Sequence, residues 1–277
     1  MCDRNTSTLD TTCARLDACI SRWNLRIEYR LAGGYPGDVY ACTDRAGSEL
    51  VLKLSPPTAA PGLEAAALRL WDGNRSVTLV DSYPPAGPLL LERITPGSPL
   101  PPGDDDTAGS IAAGVLGALH ATRLPADHPF PMQARAFDSR MERTMAEAES
   151  GTTGLGLLDR CRAVATRLWS STDRTVLLHG DFIDKNILLG PDGYVTIDPM
   201  PCVGDPCSDV GFFAAYHPPA RHIATRARRI ARLLGYDPSR AERWAAVWAV
   251  GEACETWRAD SDELQTWISG PEAQHLL

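Results

Sequence analysis

The stretch His179-Gly180-Asp181-Phe182-Ile183-Asp184-Lys185-Asn186, followed by Ile197-Asp198-Pro199, limits most tightly how this chain can fold. Thr175-Val176-Leu177-Leu178 is a β-prone run leading into His179, and Asn186-Ile187-Leu188-Leu189 is a second apolar run. Gly190-Pro191-Asp192-Gly193 is a turn signal, and Tyr194-Val195-Thr196-Ile197 a returning strand. A hairpin brings its ends together, so Asn186 at the entrance and Asp198 at the exit are expected to be neighbours, with Asp181 just ahead of them. An Asp at the start of a loop can accept a hydroxyl proton. An Asn five positions on can fold back and offer its amide oxygen to Mg²⁺. A second Asp can hold the same ion from the other side. Oxygen groups gathered in this way suit the transfer of a phosphoryl group, whose catalysis is mostly positioning and charge neutralisation. The alternative is a surface hairpin with capping aspartates.

A second constellation lies upstream. The chain has only two lysines, Lys53 and Lys185, among 27 Lys and Arg residues. Lys53 stands in the alternating run Leu50-Val51-Leu52-Lys53-Leu54, a strand pattern. Before it, Gly33-Gly34-Tyr35-Pro36-Gly37 breaks two apolar runs, as a loop covering phosphates requires, because glycines let backbone N–H groups approach anionic oxygens. A plain hairpin turn would read the same. After it, Pro61-Gly62-Leu63-Glu64-Ala65-Ala66-Ala67-Leu68-Arg69-Leu70-Trp71 reads as a helix with Glu64 in its first turns. A strand lysine paired to a helix glutamate fixes an ammonium at α- and β-phosphates. Alternatively, Lys53 is solvated and Glu64 serves the helix dipole.

With both constellations in view, the chain resembles the aminoglycoside phosphotransferase family, whose fold is similar to protein kinases. The resemblance is strong over residues 176–209 and moderate over 33–71, and Leu89-Leu90-Leu91-Glu92-Arg93-Ile94 resembles the segment joining that family's lobes. The tail Ile197-Asp198-Pro199-Met200-Pro201-Cys202-Val203-Gly204-Asp205-Pro206-Cys207-Ser208-Asp209 is similar to the branch of streptomycin 6-phosphotransferases and hydroxyurea kinases. The resemblance implies an α+β, two-lobed protein-kinase-like fold: a small β-rich N-lobe over 1–92 and a larger, mainly helical C-lobe over 93–277, joined by a Pro/Gly/Asp-rich connector over 93–106. It implies an ATP (or GTP) phosphoryl donor with Mg²⁺ between the lobes. Asp181 is then the base, and Asn186 and Asp198 are the metal ligands. Lys53, held by Glu64, meets the phosphates beneath the Gly34 loop, and the backbone at Glu92 and Ile94 meets the adenine. Asp205 and Asp209 resemble positions that brace the catalytic loop. Lys185 either adds charge near the γ-phosphate or is solvated.

The acceptor is expected to be a cationic antibiotic: an aminoglycoside such as streptomycin, or a tuberactinomycin peptide such as capreomycin or viomycin. Asp184, Glu252 and Glu255 are the candidates to bind it, since the family uses late helical carboxylates for ammonium and guanidinium groups. Glu252 and Glu255 otherwise form a solvated helix face. A protein kinase is disfavoured, because Asp198-Pro199-Met200 replaces D-F-G and no A-P-E follows. A small-metabolite kinase and a non-enzymatic drug-binding protein with a kinase-like fold are the competing readings; retention of Lys53, Glu64, Asp181, Asn186 and Asp198 together argues against the second.

Composition agrees. At 277 residues with 44% hydrophobic content, the chain is long enough for two cored lobes. A net charge of −8 disfavours nucleic acid as a partner and suits a cationic small molecule. No apolar run of membrane-spanning length and no signal-peptide core are visible, so a cytoplasmic protein with reduced thiols is expected. Helices are expected over 111–124, 137–150, 157–169 and an Arg-rich 221–234, the last with one solvated face. His120 closes the first of them, either in the family's Leu-His position or as a structural histidine bonding nearby backbone.

Overall fold

A computed structural model of the chain describes residues 4–32, 37–56, 61–83, 87–103, 105–147, 155–253 and 261–277. It divides into two compact units, Met1–Gly97 and Ser98–Leu277.

The first unit is built on an antiparallel sheet. Its elements are α1 (Arg4–Trp23), β1 (Arg26–Arg30), β2 (Asp38–Thr43), β3 (Glu49–Leu54), α2 (Pro61–Trp71), β4 (Leu79–Ser82) and β5 (Leu89–Glu92), with strand order β1-β2-β3-β5-β4. Strand β3 is central and alternates strictly: Leu50, Leu52 and Leu54 are buried, and Lys53 lies on the other face. Those leucines pack with Cys42, Leu90, Cys19 and Leu25, and Leu16 and Trp23 of α1 close over them. The sequence suggested one helix in this unit, and α1 is a second. Leu16, Cys19 and Trp23 are spaced 3 and 4 apart, a thin apolar stripe in an otherwise polar segment, and it becomes a core face only because the sheet supplies its partner.

The second unit carries α3 (Asp105–His120), α4 (Gln133–Glu147), α5 (Leu155–Ser170), α6 (Cys207–Tyr216), α7 (Ile223–Leu234), α8 (Pro238–Ala253), α9 (Ser261–Ser269) and α10 (Pro271–Leu276). Strand β6 (Val176–Leu178) pairs with β9 (Cys202–Gly204), and β7 (Ile187–Gly190) with β8 (Gly193–Thr196). The β7–β8 hairpin turns through Pro191-Asp192 with Gly190 opposite Gly193, and Gly193 takes a φ of +106° that favours glycine. Segment 98–100 lies along β7: Leu189 N–H donates to Ser98 O at 2.9 Å and Leu100 N–H to Ile187 O at 2.8 Å.

Helix α6 is buried along its whole length and is the axis of this unit. It meets α8 so closely that a Cβ on Gly211 would stand 2.6 Å from the Ala245 nitrogen and 2.6 Å from Trp244. The Arg-rich helix α7 has the solvated face expected of it, with Arg221 just ahead of it and Arg232 exposed, but Arg226 lies on the other face and is 1% exposed. Its guanidinium donates to Asp105 Oδ1 at 2.6 Å and to the carbonyls of Ala214, His217 and Pro219 at 2.8, 2.5 and 3.1 Å. The chain leaving α6 turns its carbonyls inward, and only a buried fork of donors satisfies them. A count of charges along the sequence could not show this. No described helix is long and apolar enough to cross a membrane.

Gly211→Ala is expected to lower stability by about 1–3 kcal/mol, the usual effect of overpacking, read as a lower urea midpoint at unchanged slope.

Candidate active site

The loop between β6 and β7 is fixed from behind. Gly180 has a φ of +76°, and a Cβ there would come within 2.1 Å of Met200 O. Met200 N–H in turn donates to His179 O at 2.8 Å, so the Asp198-Pro199-Met200 turn folds directly onto His179-Gly180. Asp198 itself lies in the left-handed region, with a φ of +58°. Asp tolerates that region better than most residues, and such strain concentrates at functional loops.

His179 is fully buried. Its Nδ1 accepts the Asp181 amide at 3.2 Å, so the ring proton is on Nε2, which faces Thr196 Oγ1 at 2.7 Å and Ile197 O at 3.1 Å. The Thr196 hydroxyl donates to Asn186 O at 2.9 Å. Burial depresses the His179 pKa and keeps the ring neutral, against the pull of Asp209, Asp181 and Asp198, whose charges favour protonation. The histidine thus stitches the loop to the far strand of the hairpin.

Asp209, at the start of α6, holds the loop from the other side. Its Oδ2 accepts His179 N–H at 2.7 Å and its Oδ1 accepts Gly180 N–H at 3.0 Å. His120 Nε2 lies 3.0 Å from Oδ2, and its Nδ1 lies 3.1 Å from the Tyr236 hydroxyl. Burial alone would favour the neutral acid. The His120 hydrogen bond and the Gly180 amide outweigh it and hold Asp209 below the usual carboxylate range. His120 therefore bonds side chains rather than nearby backbone. Asp205 does not reach the loop: it caps Cys207 N–H at 3.0 Å and accepts from Arg240 at 2.5 Å and Trp244 at 2.7 Å, tying α6 to α8.

Asp181 and Asn186 meet directly. Asn186 Nδ2 donates to Asp181 Oδ2 and to Asp181 O, both at 2.9 Å, and Ile197 N–H donates to Asn186 O at 2.9 Å. The hairpin thus delivers Asn186 beside the residue preceding Asp198. With its NH₂ spent on Asp181, Asn186 keeps its amide oxygen for another partner. An amide oxygen and a carboxylate are hard oxygen donors, the set that suits Mg²⁺, which is usually held by one or two carboxylates together with phosphates. Among the described residues no group of three or more His, Cys, Asp or Glu gathers as a metal cage.

In the first unit Lys53 Nζ lies 2.7 and 2.8 Å from the two carboxylate oxygens of Glu64. Both side chains are largely buried, at 13% and 8% exposure, so the pair is a fixed element rather than a solvated contact. Glu92 Oε1 accepts Thr78 N–H at 2.7 Å, and the amides of Glu92 and Arg93 donate to Thr78 O and Glu49 O within the sheet. Ile94 follows that ladder in a tight turn, where a Cβ on Gly97 would stand 2.6 Å from Ile94 O. Gly34 lies outside the described residues.

Of the acceptor candidates, Asp184 sits in a short 3-10 turn (Asp184–Asn186) with Oδ1 2.7 Å from Nδ1 of the buried His217. Glu252 is 1% exposed on α8, which overturns the solvated-face alternative for that residue. Glu255 lies outside the described residues. Lys185 is exposed. Sequence reasoning missed Arg140, on α4, whose guanidinium stands 3.6 Å from Asp181 Oδ1. One arginine among many on an amphipathic helix carries no local signal.

The fold and this loop place the chain among kinase-type phosphotransferases, enzymes that move a phosphoryl group to a hydroxyl. The family described as aminoglycoside/hydroxyurea antibiotic resistance kinase matches residues 22–261, and the chain belongs to it. A hydroxyurea phosphotransferase from Kitasatospora aureofaciens is 30% identical, with 90% of this chain and 74% of that protein covered. A streptomycin 6-kinase from Streptomyces glaucescens is 28% identical, with 83% and 78% covered. Among solved structures, a choline/ethanolamine kinase family protein from Mesorhizobium loti matches with a TM-score of 0.70 over 97% of each chain at 18% identity, a likeness of fold.

Two outcomes follow from the loop. Gly180→Ala drives a side chain into Met200 O and is expected to lower kcat/KM by about 100-fold or more, with the far-UV circular dichroism of the parent. Because His179 is held neutral when folded but protonates freely when unfolded, its contribution to stability is complete above its ordinary value of 6.5 and is lost as pH falls below that. The thermal midpoint should drop on acidification below about pH 6.5, and His179→Asn should flatten that part of the profile.

Proposed function

We propose that the chain transfers the γ-phosphoryl group of ATP (or GTP) to a hydroxyl of a small antibiotic, and that the acceptor is a cationic aminoglycoside of the streptomycin type. The observation that carries the reading is the Asn186 amide bound to both the side chain and the carbonyl of Asp181. It holds a carboxylate ready to receive the acceptor's proton and turns an amide oxygen toward a cation. Asn186 and Asp198 would hold Mg²⁺, which supplies charge neutralisation on the phosphates. Lys53, fixed by Glu64, binds the α- and β-phosphates, the loop of Gly34 covers them, and the backbone at Glu92 and Ile94 receives the purine. Asp181 takes the proton from the acceptor hydroxyl as its oxygen attacks phosphorus. Asp184 and Glu255 provide carboxylates for the acceptor's cationic groups, Glu252 being enclosed at 1% exposure, and the net charge of −8 favours such a ligand.

Hydroxyurea is the second reading, favoured by the relative at 30% identity over 90% of the chain. Incubation with Mg-ATP and streptomycin, other aminoglycosides, viomycin, capreomycin or hydroxyurea separates the two by a mass gain of one phosphate. Streptomycin is expected to gain it. Modification of hydroxyurea alone moves the assignment to the second reading, and modification of none sinks both. Asp181→Ala is expected to lower turnover by about 100-fold or more; parent-like turnover would remove Asp181 from the role of base.

A further inference from the structure

The two carboxylate oxygens of Asp181 are held by different hands. Oδ2 receives the 2.9 Å bond from Asn186, the residue assigned to the cation side. Oδ1 faces the guanidinium of Arg140 at 3.6 Å, a side chain that is 16% exposed. The same guanidinium donates to Gly180 O and to the Tyr216 hydroxyl, each at 3.4 Å. Its central carbon stands 4.5 Å from the ring centre of Phe212, 5.7 Å from that of Trp248 and 6.0 Å from that of Tyr216. Those rings come from α6 and α8, the most closely packed helices of this unit, and Phe212 and Tyr216 are stacked with centroids 4.4 Å apart. A planar cation among such faces has its position and tilt set by the core of the unit rather than by solvent.

We propose that Arg140 is a positioning residue for phosphoryl transfer, acting through Asp181, and that Oδ1 is the oxygen that receives the acceptor's proton. The inference rests on Asp181 being the base. A charge-assisted N–H···O bond closes to about 2.7–2.9 Å. At 3.6 Å the guanidinium orients Oδ1 by charge and leaves a lone pair open to a hydroxyl. Asn186 on one oxygen and Arg140 on the other fix the carboxylate plane, so the acceptor approaches in one direction only. In the step itself the acceptor O–H bond breaks and its proton goes to Oδ1. The acceptor oxygen bonds to the γ-phosphorus, and the bond from that phosphorus to the β–γ bridging oxygen breaks, releasing nucleoside diphosphate. A merely structural arginine would tie α4 to the loop and have no separate influence on that step.

The test compares Arg140→Gln, Arg140→Lys, Asp181→Asn and the Arg140→Gln/Asp181→Asn double variant. Mg-ATP turnover is measured with streptomycin, with hydroxyurea, and with water alone as acceptor, and thermal midpoints are recorded in parallel. Arg140→Gln is expected to lower kcat by about 10- to 100-fold, the scale of a misplaced reacting group, with the Mg-ATP KM within about twofold of the parent. Arg140→Lys keeps the charge without the planar fork and is expected to fall between; it decides the matter if the glutamine variant fails to fold. The double variant is expected to be no slower than Asp181→Asn alone, since both changes disable one unit. Parent-like kcat in the Arg140 variants, a loss that multiplies with that of Asp181→Asn, or a fall confined to the thermal midpoint would overturn the proposal for Arg140. Parent-like turnover in Asp181→Asn would instead overturn the base assignment beneath it.

Discussion

The Asp181 loop depends on a buried negative charge, that of Asp209. Asp209 accepts the amide protons of His179 and Gly180, and it is itself held ionised by His120 and its neighbours. Two consecutive amides pointing at one carboxylate dictate the direction in which the next residue, Asp181, leaves the chain. The left-handed Gly180 allows that path, and the Met200 turn seals it. A charge buried this deeply would be ruinous without partners. With them it is an anchor at the first turn of the most buried helix, so the loop inherits the rigidity of the core.

Around that anchor the site is a set of polar groups, each used on more than one side. His179 receives the Asp181 amide on one nitrogen and faces the hairpin's far strand with the other. Thr196 links that histidine to Asn186, and Asn186 bonds Asp181. The burial that keeps the imidazole neutral also keeps these donors and acceptors in fixed senses, since no water competes for them. Such networks matter for phosphoryl transfer, which asks a protein mainly for placement.

Much of this was legible in the sequence because it is local. The hairpin around Pro191-Asp192 and the approach of Asn186 to the end of the returning strand follow from strand alternation and turn chemistry, and the Lys53–Glu64 pair from the kinase pattern of a strand lysine followed by a helix glutamate. What escaped reading depends on elements distant along the chain. The apolar stripe of helix α1 becomes a core face only against strands that follow it in the chain. Arg226 is buried because Ala214, His217 and Pro219 turn their carbonyls toward it, and Glu252 is buried because α8 packs among other helices. Arg140 is brought beside Asp181 by rings from Phe212, Tyr216 and Trp248. Asp205 and Asp209 look alike in sequence; the structure gives one to the loop and the other to the α6–α8 junction.

Asn186 has two unlike ends, a donor committed to Asp181 and an acceptor left over. Aspartate there would set oxygen against oxygen, and glutamine would carry the same groups one methylene too far. No other natural side chain supplies that donor and that acceptor at this reach. Helices α4, α6 and α8 are bound by the same requirement, because the rings of Phe212, Tyr216 and Trp248 surround the Arg140 guanidinium that faces the other oxygen of Asp181.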